Sequence, residues 1–171
     1  MCIDKKLLVI LLILAAPQVF AQEFQVRQVS TFASPDSSYE TLSAFLDSVD
    51  AFLYLSIYEI DSPLVAERIK ELLKNGKTVT IIVEDSPAGG FPDDEIGILA
   101  MLEMEGARVY LAGDEFRFYH AKYAISDNET LFLTTENLGR NGFPKRGSKG
   151  NRGWGVIIED RDLTEYFTEI F

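Results

Sequence analysis

An α/β/α sandwich with a mixed, mainly parallel central sheet is the fold that this sequence of 171 residues predicts. Two runs, Ala51–Tyr58 and Thr78–Val83, are continuous, apolar and rich in β-branched or aromatic residues, as strands buried on both faces are. Between and after them, apolar residues recur at helical spacing. Strand and helix patterns then alternate along the chain, with no internal repeat and no low-complexity tract. That alternation favours βαβ units with helices on both faces of one sheet.

The first residues read as an address. Lys5 and Lys6 precede Leu7–Leu14, and small residues stand at Val19 and Ala21. A short positive region, a compact apolar run and small residues before a cut describe a secretory signal peptide over residues 1–21. The run is short for a membrane span, although an uncleaved anchor is the alternative. Either way the domain of residues 22–171 is expected to be secreted or extracytoplasmic. Cys2, the single cysteine, lies before the apolar run, so a chain cut after Ala21 has no disulfide to stabilise it.

Roughly 150 residues remain, enough for one domain with its own core. Phe24–Ser30 reads as a first strand. Ser34-Pro-Asp-Ser is a turn and helix start, followed by Tyr39, Leu42, Phe45, Leu46 and Val49 at helical spacing. After the strand 51–58, Asp61-Ser-Pro63 opens a helix whose apolar stripe is Leu64, Val65, Ile69, Leu72 and Leu73; Asn75-Gly76 closes it. Beyond Thr78–Val83, Ser86–Pro92 is a loop and Asp93–Glu105 a helix ending at Gly106. Arg108–Leu111 is a short strand. Two more strands follow, joined by a turn at Asp127-Asn128. Trp154–Ile158 is the last strand, and a helix begins at Asp162.

The net charge of -11 argues against general attraction to nucleic acid or anionic membranes. The charge is uneven, however. From Gly139 to Arg152 the chain carries Arg140, Lys145, Arg146, Lys149 and Arg152 and no acidic residue. A Gly-, Asn- and Ser-rich stretch of this kind is either a solvated loop or a cationic collar that binds a phosphate-bearing substrate.

That stretch follows the densest chemistry in the chain. His120, the single histidine, stands in His-x-Lys-x-x-x-x-Asp with Lys122 and Asp127, and Thr135-x-Asn137 follows. Side chains two apart on a strand share a face, so His120 and Lys122 point one way, as do Thr135 and Asn137. An imidazole, an ammonium, a hydroxyl and an amide in one pocket suit a phosphoryl group: a nucleophile, and donors for anionic oxygens. A lone histidine is more often structural or merely exposed. The spacing decides otherwise, because Lys at +2 and Asp at +7 coincide by chance about once in several hundred.

With His120, Lys122, Asp127 and Thr134-Thr135-Glu136-Asn137, the sequence resembles the phospholipase D superfamily, whose mark is His-x-Lys-x4-Asp followed by a small-residue-hydroxyl-x-Asn turn. The likeness extends over Phe32–Asp36, Leu55–Tyr58, Gly76–Val79 and Asn151–Val156. In size and order the chain is similar to the small single-motif exported endonucleases of the family, and to one half of its two-motif phospholipases. The resemblance implies a phosphodiesterase with His120, Lys122, Asp127 and Asn137 as its catalytic set. His120 would attack phosphorus and form a phosphohistidine. Lys122 and Asn137 would hold the phosphoryl oxygens with help from Thr135, and no metal or other cofactor would be needed. Asp127, at +7, falls on the face opposite His120, which suggests a structural role in the turn. The mechanism needs a second histidine. The expected partner is therefore a second copy in a homodimer, or a motif-bearing half beyond residue 171. The substrate is a phosphodiester of either nucleic acid or phospholipid.

Two departures stand out. The family's last strand often carries Asn-x-Glu, whose carboxylate accepts from the nucleophilic histidine; here it is Asn151-Arg152-Gly153, leaving Glu136 and Glu59 as candidates for that task. Thr134-Thr135 replaces the more usual Gly-Ser. A non-catalytic phosphate-binding or scaffold module of the same fold is thus the competing class. Elsewhere, Glu84-Asp85 ends a buried strand but lacks the histidine partner that a metal would want. Tyr54, Tyr58, Phe116, Phe118, Tyr119 and Tyr123 read as core and rim packing, and Trp154 as a packing residue at the start of the last strand, though Phe91, Phe116, Phe118 and Phe143 could instead rim a lipid site.

Overall fold

A computed structural model of the chain describes residues 21–171. The expected export segment, apart from Ala21, lies outside the described residues. In order, the elements are β1 (Gln28–Ser34), α1 (Ser38–Asp47), β2 (Phe52–Ile57), α2 (Pro63–Lys74), β3 (Thr78–Val83), α3 (Glu95–Met104), β4 (Arg108–Leu111), β5 (Lys122–Ser126), β6 (Thr130–Thr134), β7 (Gly153–Glu159) and α4 (Arg161–Glu169).

All the strands join one mixed sheet in the order β1-β7-β6-β5-β2-β3-β4. Strands β1, β2, β3, β4 and β6 run one way, as a mainly parallel sheet requires, and β5 and β7 run against them. Because β5 and β7 are interleaved with the others, only β2–β3 and β3–β4 are parallel neighbours. The cause is local. The β5–β6 connection is a tight hairpin, which can only be antiparallel, and β7 inserts between β6 and β1.

Helices cover both faces. Leu55, Ile57, Val79, Ile81, Val83, Ala124 and Phe132 point to the side of α1, α2 and α3 and pack with Leu42, Phe45, Leu46, Val65, Ile69 and Leu102. Each such side chain, withdrawn from water, contributes about 1.5–3 kcal/mol. On the other face, Tyr123, Ile125 and Leu131 meet Leu163, Phe167 and Phe171 of the α4 region. The tight ends follow the sequence signals. The Ser62 side chain caps α2 by accepting from Val65 N–H, with Pro63 in the first turn. Gly76 (φ 78°) closes the helix while the N–H groups of Gly76 and Lys77 donate to the carbonyls of Leu73 and Leu72.

Strand β1 lies later than its aromatic pattern suggested. Phe32 and Ser34 are its buried residues, and all of 28–34 pairs with β7. Phe24, expected in the strand, instead packs on Tyr166 of α4, ring centroids 5.5 Å apart. The Asp127-Asn128 turn is present, with both residues at positive φ (54° and 55°), as a hairpin matched to strand twist demands.

Because β5 runs against β2 and β6, its first residue sits beside their carboxyl-terminal ends. The beginning of β7 arrives at the same end. Ligand sites in open α/β sheets form there, where the strand ends diverge.

Candidate active site

His120 and Lys122 enter this end on the first residues of the β5 segment. Thr135, Glu136 and Asn137 enter on the turn that ends β6, Glu59 and Asp61 on the chain leaving β2, and Asn141 and Asn151 from the loop before β7. These side chains line one cleft of about 380 Å³. A larger groove of about 800 Å³ lies at the opposite end of the hairpin and carries Asp127 but not His120. The smaller cleft holds the reactive groups, so it is the candidate site.

His120 is exposed and precedes the strand proper. Its ring stands edge-on to the buried Tyr58 ring, centroids 4.6 Å apart, which limits how the imidazole can turn. The Lys122 ammonium donates to the His120 carbonyl at 3.2 Å and lies 5.1 Å above the Tyr58 ring. Burial pulls the Lys122 ammonium below its ordinary pKa, while the negative charges of Glu59 and Glu136 work against that shift. The Asn137 side-chain amide donates to Glu59 at 2.6 Å, and its oxygen is buried with no partner among the described residues. Thr135 closes the cleft wall, its hydroxyl bonded to the backbone of Trp154. Four of the expected site residues, His120, Lys122, Thr135 and Asn137, therefore meet. What they can do together is attack a phosphorus and hold its oxygens, with one nucleophilic imidazole beside one ammonium and one amide.

Asp127, grouped with the catalytic set by the motif, is not in the cleft. It sits at the far end of β5, roughly 16 Å of strand away. Its carboxylate accepts from the backbone N–H groups of Asp50, Ala51 and Phe52 at 2.7, 2.8 and 2.9 Å. Burial works to raise its pKa, but those N–H groups, with Lys77, hold it below the ordinary carboxylate value. The +7 spacing points to a structural role on the face opposite His120; in the structure the residue stands at the opposite end of the strand, where its work is to tie the hairpin to the start of β2.

The collar is also divided. Arg152 pairs with Asp36 at 2.8 Å, and Arg140 pairs with Asp94 while its Nε donates to the Asp61 carbonyl. Neither lines the cleft. Those two are committed to carboxylates that lie far off in sequence, which a charge count along the 139–152 stretch cannot register. Lys145, Arg146 and Lys149 are exposed and carry the remaining positive charge of the loop.

Three neighbours of the site were not singled out for it. Tyr58 reads as core from its apolar strand, and it is buried, but it also braces His120. Asp61 reads as a helix start; its carboxylate accepts from Arg140 N–H at 3.0 Å at the cleft edge. Glu84, weighed only for metal, is buried beside the loop that delivers His120. Burial works to raise its pKa, yet the N–H groups of Tyr119 and Ser86 hold the carboxyl below its ordinary value. Nothing in residue type or spacing marked these, because each depends on contacts across the sheet. Trp154, Phe116 and Phe118 lie at the rim and not in the core: they are 63%, 54% and 45% exposed, and Phe116 packs on Tyr119 with ring centroids 5.7 Å apart. Phe143 is the reverse, fully buried in the core. Among the described residues no three His, Cys, Asp or Glu side chains converge as a metal centre would.

The family model described as "Cardiolipin synthase, PLD-like domain" matches residues 42–171. Among solved structures, Nuc from Salmonella typhimurium, described as a phospholipase D family member, superposes with a TM-score of 0.72 at 22% identity, covering 83% of this chain and 90% of that one. NucT from Helicobacter pylori does so with 0.69 at 20% identity, over 84% and 92%. A phosphatidylserine synthase from Haemophilus influenzae reaches 0.60 at 20% identity, over 81% of this chain and 36% of the other. These likenesses establish the fold. No curated protein sequence matches the chain.

Proposed function

This chain belongs to the phospholipase D superfamily, matched over residues 42–171 by its PLD-like domain model, and from that premise we propose that it hydrolyses phosphodiester bonds at the His120 cleft. The observation that carries the reading is the meeting of His120, Lys122, Thr135 and Asn137 in one pocket at the carboxyl end of the sheet.

A ring nitrogen of His120 attacks phosphorus in line. The P–N bond forms as the bond to the leaving alcohol breaks, and the alcohol oxygen takes a proton from a second histidine. Water, losing its proton to that same histidine, then attacks phosphorus from the leaving side. The P–N bond breaks, and a phosphomonoester and free His120 result. Lys122 and the Asn137 amide hold the phosphoryl oxygens through both steps. Among the described residues His120 is the single histidine, so we place the second in another copy of this chain across a two-fold axis. Export ahead of residue 22 is part of the same proposal.

The exposed aromatic residues Phe116, Phe118 and Trp154 support a phospholipid, and the acidic surface and the partly neutralised collar count against long duplex contact; the loop cations Lys145, Arg146 and Lys149 support nucleic acid. Turnover of a chromogenic phosphodiester, abolished in His120→Ala with an unchanged thermal melt, is the expected result. Comparing plasmid DNA with phosphatidylcholine vesicles then separates the substrates. Full activity in His120→Ala would overturn the role of His120, and wild-type protein without turnover would leave a phosphate-binding module.

A further inference from the structure

A histidine nucleophile needs its other ring nitrogen held. Whichever nitrogen faces phosphorus must carry the lone pair, so the opposite one carries the proton and needs an acceptor to fix that tautomer. The last strand begins at Gly153, which has no side chain to accept anything. Four carboxylates lie near the cleft. Glu84 accepts from two backbone N–H groups, Tyr119 and Ser86. Glu59 is taken by the Asn137 amide and Asp61 by Arg140 N–H.

Glu136 differs from all three. What sets it apart is where its second oxygen lies, for like Glu59 and Asp61 it is held at one oxygen, Oε2, to which the Asn151 amide donates at 3.2 Å. The other oxygen, Oε1, lies where a side chain at 153 would begin. A Cβ built on Gly153 would overlap Oε1 and stand 2.7 Å from both Cδ and Cγ of Glu136. The backbone of Gly153 needs no unusual dihedral, so what the glycine provides is room. Gly142 makes room from the other side, since a Cβ there would come within 2.8 Å of the Glu136 Cβ. The carboxylate also bears on the site's charge, being one of the two that favour the Lys122 ammonium.

We infer that Glu136 is the positioning residue for His120: its carboxylate, reaching from the turn after β6 into the space left empty by Gly153, accepts a hydrogen bond from the proton-bearing ring nitrogen. The pair Glu136–Gly153 is then one device, in which the glycine leaves the room that the carboxylate occupies. This rests on the phosphodiesterase reading for its purpose, but not for its test.

Because His120 is the single histidine, its ring nitrogens give unambiguous ¹⁵N signals in untagged protein. The wild type should show one neutral tautomer, and Glu136→Ala a mixture. In kinetics Glu136→Ala should lower kcat by on the order of 10²–10⁴-fold with KM changed less than about threefold, because a positioning group acts on the step and not on substrate binding. Glu136→Gln keeps the size and an acceptor and should fall between. Gly153→Ala adds one methyl where Oε1 lies, and should mimic Glu136→Ala; in the Glu136→Ala background it should change nothing further, a non-additivity that independent sites do not show. An unaltered tautomer together with unaltered kcat in Glu136→Ala overturns the inference, and so does full additivity of the two substitutions. Wild-type protein with no turnover would remove the phosphodiesterase reading, and the tautomer comparison would still decide the role of Glu136.

Discussion

The two ends of the β5–β6 hairpin carry the same motif and treat it in opposite ways. At the turn end, the Asp127 carboxylate accepts from three successive backbone N–H groups, and the larger groove beside it holds neither His120 nor Lys122. At the open end, His120 is exposed, the Lys122 ammonium is half-buried and perturbed, and the Asn137 oxygen is buried without a partner. One end satisfies its polar groups internally and the other leaves them short of partners. Polar groups held unsatisfied cost stability, and a ligand can restore it. The His-x-Lys-x4-Asp spacing is therefore two devices joined by one strand: a reactive pair and a clamp that keeps the strand in register.

The largest expected effect breaks the two apart. His120→Ala should lower kcat by at least about 10³-fold and leave the melting temperature within roughly 1 °C, since an exposed side chain contributes little to folding. Asp127→Ala should do the reverse. Losing a charged acceptor shared by three N–H groups costs about 1–3 kcal/mol, or roughly 3–10 °C, while kcat per folded molecule stays within about threefold. Calorimetry and turnover on the same samples read both.

A pH titration sharpens the contrast, with Glu95 as the counterpart. The Glu95 side chain is fully buried below the Glu59–Asp61 segment; it accepts from Ile60 N–H at 2.7 Å, and its second oxygen has no partner among the described residues. Burial, then the charges of Glu59 and Asp61, push its carboxyl up to about 7 against the one hydrogen bond that lowers it. With the folded value raised, the favourable contribution is complete below about 4.5 and is lost as pH rises through about 7. Asp127 has the opposite sign: its contribution is present above 3.8 and is lost as pH falls through its lower folded value. Glu95→Gln should therefore flatten the pH dependence of denaturant unfolding between about 4.5 and 7, and Asp127→Asn should flatten only the acid limb.

The smallest effect concerns the loop. Replacing Lys145, Arg146 and Lys149 together with alanine should raise KM for DNA by about tenfold or less and reduce its salt dependence. It should leave the melting temperature and the hydrolysis of a small chromogenic phosphodiester unchanged, and a titration of KM for DNA against salt would show the rest.

Much of this was legible in the residues. The strands β2 and β3, the α2 caps and the Asp127-Asn128 turn follow from patterns local to a few residues, and so they matched. His120, Lys122, Thr135 and Asn137 could be placed in one pocket because strand periodicity and a hairpin suffice to bring them together. What failed to show depends on non-local pairing. Strand β1 falls later than its aromatic pattern indicates because its register is set by β7, more than a hundred residues on. The salt bridges that occupy Arg140 and Arg152 reach back to Asp94 and Asp36. The fit of Glu136 against Gly153 needs the β6–β7 register, although a glycine where a carboxylate was expected was itself a clue.

If His120 bonds covalently to phosphorus, the stereochemistry at phosphorus records it. Each in-line displacement inverts configuration. Hydrolysis of a substrate made chiral at phosphorus, in ¹⁸O water, should give overall retention, because attack by His120 and attack by water each invert once. Inversion would mean that water attacks directly, and it would contradict the covalent role of His120.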